Sequence, residues 1–487
     1  MKKPNNAQGH RRLLEALAFV SGAAVLVLEI AGARMLAPAF GSSIFVWTAQ
    51  ICTVLVALAL GYYYGGRHAD AKDRMAQASK MFLFACATLA VSLFLSGIVL
   101  SASAMLGAKI GPFVFSAFLF FAPCFFAGAI TPVLLREYVQ GMESVGNDAG
   151  RIYAISTAGS LAGALLSAYV IVPFVGAKAG MFITAAAFFA LALLSRWRMD
   201  IDRVAVFFLL FASLFSFAHS TSLNVPDDLS VAKEYDSEYF HIRIAENGTH
   251  KLLLLDADAH SMITKGREGL VFEYTKKMAH ATDAYMAVGG KRVAVLGLGA
   301  GTLPRHFAAK GADVTVYEID PAVLATARQD FEFPEMENLQ VHIGDARALL
   351  VEDAKQYDLL VIDAFASRAS IPVHLATREA FGIYRDSVKE DGLLVMNIIS
   401  PAEGRKADVF RSISETAREE FPHQVAILTN DNREALQNII LVASAAPLGE
   451  GYLERLEGEM VMGSWGAGTG YTDERSSIDY AMMQVLE

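Results

Sequence analysis

A glycine-rich turn between two apolar segments carries the residues best suited to hold a nucleoside. Residues 293–296 predict a buried strand, the turn GLGAG follows at 297–301, and after a helix a second predicted strand at 314–317 ends on Glu318. Such a unit brings backbone N–H groups and a helix N-terminus to a ligand, and an acid at the tip of the second strand can accept hydrogen bonds from ribose hydroxyls. The ligand-binding residues predicted in this unit are Gly297, Gly299, Gly301 and Glu318.

The position of the third glycine decides between ligands. A dinucleotide-binding turn has the spacing G-x-G-x-x-G, but Thr302 stands where its third glycine would be. The spacing found here fits an adenosine without a pyrophosphate. We therefore expect S-adenosylmethionine or its decarboxylated form as a substrate, with no further cofactor. The cysteines Cys52, Cys86 and Cys124 lie in apolar segments and offer no zinc site, so no metal is expected.

Two further acids follow strands of the predicted sheet. Asp345 ends the strand in VHIGDA, and the buried run YDLLVID delivers Asp363 to the end of the next strand. Ligands of open α/β sheets bind at the carboxyl ends of the strands. One such acid would more simply be a helix cap or a surface charge, but together with Glu318 these acids predict a ligand site at one sheet edge.

The composition divides the chain into a membrane part and a globular part. Of its 487 residues 54% are hydrophobic and only 19% are charged, and the apolar excess lies before residue 220 or so. The predicted domains are 1–222, a multi-spanning transmembrane domain of about seven helices, 223–290, a β-hairpin and helix subdomain, and 291–487, the S-adenosylmethionine-binding domain. The expected partners are the lipid bilayer and a small-molecule substrate. A net charge of −10 without a basic cluster argues against nucleic acid, and a homo-oligomer is left open.

Loop charges predict an orientation but conflict with the number of spans. The apolar segments are 13–36, 44–65, 79–102, 111–135, 152–175, 177–195 and 203–219. Basic residues at the N-terminus and in two loops place the N-terminus in the cytoplasm. Seven spans would then put the globular part outside, where S-adenosylmethionine is not expected. Either one segment does not cross, 203–219 being the shortest, or the charge rule fails. We expect a multi-pass protein of a bacterial-type inner membrane with a cytoplasmic catalytic domain.

The first apolar segment contains two charged residues, Glu29 and Arg34. A charge within a span is a functional hypothesis by default. A pair that pins neighbouring helices or reaches the interface is an equally good interpretation.

The chain resembles spermidine synthases, the polyamine aminopropyltransferases, over roughly 235–480, and its membrane part is similar to that of multi-spanning bacterial members. The matching features are a hairpin ending LDA, the helix with Tyr274 and His280, the glycine turn, VYEID, a GDA run, YDLLVIDAF and TDER around Asp473. The resemblance implies an α/β Rossmann-like fold of class I methyltransferase type with an N-terminal β-hairpin subdomain, following an α-helical transmembrane bundle.

The same resemblance implies roles for individual residues. Glu318 would hold the ribose, and Asp345 with Ala346 the adenine. Asp363 would accept the proton of an attacking amine, and Tyr274 is the second residue expected to be catalytic. The further ligand-binding residues expected are His260 and Lys276, which stand where the family has glutamine and glutamate.

Two departures from the family pattern suggest a second reaction. Ala300 and Ala366 replace acids that hold ammonium groups in the family, so a dication would be poorly held. Lys276, Arg368 and His374 are candidates to contact a carboxylate instead. Intact S-adenosylmethionine could then attack its own γ-carbon and give methylthioadenosine and homoserine lactone, in a lyase reaction. The residues leave this open against aminopropyl transfer to a polyamine.

Two other classes of function remain as alternatives. A membrane-bound methyltransferase would use the same glycine turn and acid. A non-enzymatic membrane protein that senses or transports a nucleoside would use the same site without needing Asp363.

Overall fold

The computed structural model divides the chain into two compact units. One comprises Met1–Leu223 and Tyr235–His241, and the other Asn224–Glu234 and Ile242–Glu487. The structure describes residues 4–41, 43–139, 141–196, 201–213, 223–353, 355–365, 371–456, 459, 461–462, 465–474, 478 and 481–482.

The first unit is a helical bundle. Its helices are α1 (Pro4–Phe40), α2 (Ile44–His68), α3 (Arg74–Ala104), α4 (Gly107–Ser116), α5 (Ala122–Tyr138), α6 (Val145–Leu166), α7 (Val172–Val175), α8 (Ala177–Ser195) and α9 (Ile201–Ser213). Two π-helical turns, Ala117–Phe121 and Ser167–Ile171, join α4 to α5 and α6 to α7 without a break.

Six helical stretches in the described part of the chain are long and apolar enough to cross a membrane. They are Gln8–Phe40, Ile44–His68, Arg74–Ala104, Gly107–Tyr138, Val145–Val175 and Ala177–Ser195. The seventh predicted segment, 203–219, is helical over the 13 residues of α9, and 214–219 lie outside the described residues. Thirteen residues are fewer than the roughly 20 that a spanning helix needs.

The two charged residues of α1 do not pair with each other. The Arg34 guanidinium donates to the carbonyl oxygens of Tyr239, at 2.6 Å, and of Glu238. Both carbonyls belong to the short segment 235–241 of the same unit. Glu29 and Arg34 therefore do not form an ion pair in this structure.

A four-stranded antiparallel sheet opens the globular part. Its strands, in spatial order, are β1 (Ser230–Asp236), β2 (His241–Glu246), β3 (His250–Leu255) and β4 (Asp258–Thr264). The turn between β2 and β3 lies at Asn247-Gly248, a pair of residues that predicts a type I′ turn. That turn type is wrong here, because neither residue has a positive φ. The Asn247 side chain instead accepts hydrogen bonds from the N–H groups of Thr249 and His250, at 2.8 and 2.7 Å, and this closes the turn.

The second sheet has eight strands in the order β12-β10-β11-β9-β8-β5-β6-β7. Its strands are β5 (Arg292–Leu296), β6 (Asp313–Glu318), β7 (Leu339–Ile343), β8 (Tyr357–Ile362), β9 (Val388–Ser400), β10 (His423–Leu428), β11 (Gln437–Ser444) and β12 (Val461–Met462). Strands β5 to β9 pair in parallel, and β9, β11, β10 and β12 pair antiparallel.

Helices connect and cover these strands. They are α10 (Glu273–Met286), α11 (Thr302–Ala309), α12 (Pro321–Asp330), α13 (Ala346–Glu352), α14 (Arg378–Ser387), α15 (Asp408–Arg418) and α16 (Glu450–Arg455). The predicted fold class is confirmed, since a helical region with six apolar stretches precedes an α/β domain of class I methyltransferase type. All six residues of β8 are buried, as a parallel strand covered on both faces requires, and Asp363 follows it directly.

Candidate functional site

The glycine turn after β5 has a backbone that few other residues could adopt. Gly297, Gly299 and Gly301 have φ values of +95°, +54° and +75°. A Cβ at position 297 would lie 2.6 Å from the carbonyl oxygen of Asp363, and one at 301 would lie 2.1 Å from the Phe333 ring. The turn therefore needs glycine both for its conformation and for space.

Glu318 at the end of β6 fastens this turn. Its Oε2 accepts a hydrogen bond from the N–H of Leu298 and its Oε1 from the N–H of Asp320, both at 2.9 Å. Burial raises the pKa of Glu318 to about 7, although the backbone N–H groups favour the ionised form. Each carboxylate oxygen keeps a lone pair that a hydroxyl could use.

A cavity of about 490 Å³ opens beside the turn, within the size range of small-molecule sites. It is lined by parts of β4, the start of α10, the glycine turn, residues just after β8, the end of β9 and the start of β11. Five of the predicted site residues line it, namely Gly297, Gly299, His260, Tyr274 and Asp363. The structure therefore brings the residue proposed as a proton acceptor next to the proposed nucleoside turn.

Asp363 is held by groups on two other elements. The Asn397 side chain donates to its Oδ1 at 2.9 Å. The Tyr274 hydroxyl lies 3.4 Å from its Oδ2 and 3.2 Å from the carbonyl oxygen of His260. Burial raises the pKa of Asp363 to about 6, against the opposing effect of these two donors. Asp363 is thus mostly ionised at neutral pH and can take up a proton.

Burial also affects the groups around Asp363. It raises the pKa of Tyr274 well above its usual value, and the Asp363 charge adds to this effect. The tyrosine therefore stays protonated and acts as a donor. Burial lowers the pKa of His260, while the Asp258 carboxylate opposes that shift.

A set of side-chain amides completes the cavity and was not anticipated. Asn438 donates to Asn397 Oδ1 at 3.0 Å, which extends the chain of hydrogen bonds that begins at Asp363. The Gln437 side chain accepts from the N–H groups of Thr429 and Asn430, at 3.0 and 2.8 Å. The sequence signal that could have indicated these amides is the presence of polar residues in otherwise apolar strand sequences, LLVMNII and QNIILV.

The charged side chains that line the cavity are acidic. They belong to Asp258, Glu273 and Asp363, and none of the described lining residues is a lysine or an arginine. Such a lining favours a ligand with positive charge, such as a sulfonium or an ammonium group. Elsewhere in the described residues, no group of three or more His, Cys, Asp and Glu could hold a metal ion.

Other predicted site residues lie outside the cavity lining. Asp345 caps α13 by accepting from the N–H of Ala348 at 3.0 Å, and its second oxygen lies 2.8 Å from His374 Nε2. Ala346, the first residue of that helix, is buried. Lys276 is exposed and forms an ion pair with Glu273 at 3.3 Å.

The acid of the TDER run has a structural partner. Both oxygens of Asp473 accept from Arg347, at 2.8 and 2.7 Å, and Thr377 donates to one of them at 2.7 Å. These contacts lower the pKa of Asp473 to about 2. Ala366 and Arg368 lie outside the described residues.

Comparisons with known proteins agree with this architecture. A family model described as a methyltransferase domain matches residues 293–386. The polyamine aminopropyltransferase 2 of Streptomyces coelicolor is 27% identical over 305 residues, 57% of this chain and 54% of that protein. Two further relatives are named as polyamine aminopropyltransferases. An N-terminal histidine N-methyltransferase of Emericella nidulans is 39% identical over 113 residues, 22% of this chain and 20% of that protein.

One solved structure is similar to part of this chain. A probable spermidine synthase from Corynebacterium glutamicum is 23% identical, and the match covers 51% of this chain and 98% of that one with a TM-score of 0.45. The chain spans between 20% and 62% of the length of the four curated relatives. The polyamine aminopropyltransferases among these relatives support a spermidine-synthase-like family for this chain.

Proposed function

We propose that this chain is an enzyme that binds decarboxylated S-adenosylmethionine beside the glycine turn and transfers its aminopropyl group to an amine. The observation that carries the proposal is Asp363, an ionisable acid in a cavity whose charged lining is acidic. The similarity to polyamine aminopropyltransferases supports an enzyme of this class. The names of three relatives support the choice of reaction.

The proposed step balances with the residues at hand. The amine nitrogen attacks the methylene carbon bonded to sulfur, the C–S bond breaks, and the electron pair of that bond neutralises the sulfonium. The new ammonium group then gives a proton to Asp363. Because a sulfonium is already a good leaving group, most of the rate acceleration would come from orienting the amine. The hydrogen bonds from Asn397 and Tyr274 would fix the Asp363 carboxylate for this purpose.

Intramolecular cleavage of S-adenosylmethionine is the second candidate. Ala300 lies buried in the turn with a methyl group where the family has an acid for the substrate ammonium. The carboxylate of the substrate would attack the γ-carbon, releasing methylthioadenosine and leaving homoserine lactone, with no proton transferred to the enzyme. The exposed position of Lys276 weakens this candidate, since that lysine was expected to hold the carboxylate.

Product analysis separates these reactions. The full chain, purified in detergent, is incubated with S-adenosylmethionine alone, or with its decarboxylated form plus putrescine, and the products are followed by mass spectrometry. We expect methylthioadenosine and spermidine in the second incubation. Homoserine lactone in the first would establish the lyase reaction instead.

Two further outcomes would reject both reactions. S-adenosylhomocysteine formed when membrane lipids are added would indicate a methyltransferase. Binding of methylthioadenosine without any turnover would indicate a sensor or a transporter. An Asp363→Asn sample is the control, because any product that persists unchanged cannot depend on this acid.

A further inference from the structure

The helical bundle of the first unit contains a carboxylate that the proposed reaction does not use. Glu29 lies well inside the apolar stretch Gln8–Phe40 and is half-buried. Among the described residues, its carboxylate has no hydrogen bond or ion pair. The nearest cation along α1, Arg34, is engaged by backbone carbonyl groups. An ionisable group within a span is costly and is usually retained for a function.

A buried amide from the next helix meets α1 at this residue. Gln50 in α2 has no exposed surface, and its Nε2 donates to the backbone carbonyl oxygen of Glu29. Its Oε1 is buried without a hydrogen-bond partner in the described structure. A buried oxygen that accepts no hydrogen bond is destabilising unless a ligand supplies the donor. Two unmatched acceptors, a carboxylate and an amide oxygen, therefore come from adjacent helices at one level of the bundle.

A helix with a π-helical turn packs against α1 close to Glu29. The π-helical turn Ala117–Phe121 places the Phe120 ring against Gly32, where a Cβ would lie 2.2 Å from a ring atom. One turn further on, Cys124 is buried. Single π-helical turns occur often at functional sites, because they redirect side chains that a regular helix would aim elsewhere.

We propose that Glu29 and Gln50 form a binding site for a protonated primary amine within the helical bundle. The Glu29 carboxylate and Gln50 Oε1 are acceptors without a donor in the described residues, so the matching ligand carries N–H donors and a positive charge. The assignment rests on the helices of the first unit and is independent of the reaction proposed for the globular domain. It predicts that the bundle is more than a membrane anchor.

Chemical labelling in a bilayer tests the site. A hydrophobic carbodiimide reacts with protonated carboxyl groups in apolar surroundings, and a bound ammonium group would keep Glu29 ionised and covered. The full chain in lipid nanodiscs is labelled with dicyclohexylcarbodiimide, and the modification of the Glu29 peptide is quantified by mass spectrometry. We expect putrescine to slow this modification at least fivefold. Choline, a cation without N–H groups, should have little effect at the same ionic strength.

The alternative results are decisive. Equal labelling with and without putrescine would overturn the site. Protection by sodium but not by putrescine would overturn the choice of an amine.

Variants separate binding from packing. Glu29→Gln should abolish labelling at this position and remove one class of sites for radiolabelled putrescine in equilibrium dialysis. Glu143→Gln, at an exposed acid of the same unit, is the matched control and should change neither. Both variants should bind methylthioadenosine as the parent chain does, which shows that the globular domain is intact. If Glu29→Gln lowered only the melting temperature and left putrescine binding unchanged, Glu29 would have a packing role and the proposal would fail.

Discussion

Replacing Asp363 by asparagine should raise stability while it lowers activity. The substitution keeps the size of the side chain and removes its charge. The new amide can still accept the hydrogen bond from Asn397 through its oxygen and donate to the Tyr274 hydroxyl, which can turn towards the carbonyl oxygen of His260, 3.2 Å away. The cavity should therefore keep its shape, so that a change in rate reports on the missing carboxylate.

The magnitudes follow from the environment of the acid. Its pKa is raised from 3.8 to about 6 by burial, so folding favours the protonated form. The stability that this provides is complete below about pH 4, declines as the pH rises through about 6, and is absent at pH 7.5. A shift of about two units corresponds to about 3 kcal/mol, which the uncharged variant should regain at pH 7.5. Loss of a proton acceptor should cost a factor of about 10² to 10⁴ in kcat.

The assay compares rate, binding and stability in one preparation. Methylthioadenosine release is measured from pH 5 to pH 8.5, methylthioadenosine binding by calorimetry, and unfolding by urea at pH 5 and pH 7.5. The parent chain should lose about tenfold in kcat/KM from pH 7 to pH 5, since an acid of pKa about 6 is about 10% ionised at pH 5. A variant with kcat within threefold of the parent, or a flat profile for the parent, would refute Asp363 as the proton acceptor.

Three other predictions concern the turn, the tyrosine and the membrane. Tyr274→Phe removes a donor that lowers the pKa of Asp363, so the acidic limb of the pH–rate profile should move to higher pH and kcat should fall about tenfold. Gly301→Ala should lower the melting temperature and abolish methylthioadenosine binding because of the contact with Phe333, whereas Gly311→Ala, also at a positive φ but in open space, should cost only about 1 kcal/mol. A C-terminal green fluorescent protein fusion should fluoresce and a C-terminal alkaline phosphatase fusion should be inactive if the globular domain is cytoplasmic; the reverse would place that domain outside.

Local sequence signals predicted the elements around the glycine turn well. The glycine turn, the strand that ends on Glu318 and the strand before Asp363 are each contiguous motifs whose conformation depends on neighbouring residues. The hairpin turn shows the limit of such signals. Asn247-Gly248 marked the right position of the turn, but the turn is not of type I′. The Asn247 side-chain oxygen closes it by accepting hydrogen bonds from the N–H groups of Thr249 and His250.

The cavity amides could not be predicted because they depend on non-local pairing. Strand β11 inserts between β9 and β10, antiparallel to both, and this brings Asn438 within hydrogen-bonding distance of Asn397. Single-sequence patterns give the strands but not their order in the sheet. Asp258 and Glu273 were missed for a different reason: they lie beside the predicted site residues His260 and Tyr274, but no motif marked these two acids as part of the site.

Lys276 offers a test in which the two proposed reactions predict opposite results. The lysine is exposed and pairs with Glu273, which lines the cavity. If Glu273 helps to attract an amine, Lys276→Ala should free that carboxylate and lower KM for putrescine, by no more than about threefold because the pair is exposed. If the lysine instead holds the carboxylate of S-adenosylmethionine, the same change should raise KM for that substrate.

A matched control removes general effects of charge. Lys310→Ala also deletes an exposed lysine paired with an acid, Asp283, in the same domain, and neither residue lines the cavity. It should leave both KM values unchanged. An identical response of the two variants would mean that the overall charge of the domain, and not the Glu273 carboxylate, controls access of the amine. A lower KM for putrescine with Lys276→Ala alone would show that the acids lining the cavity compensate for the methyl group of Ala300. The alanines that replace the acids of the family pattern would then not exclude a polyamine.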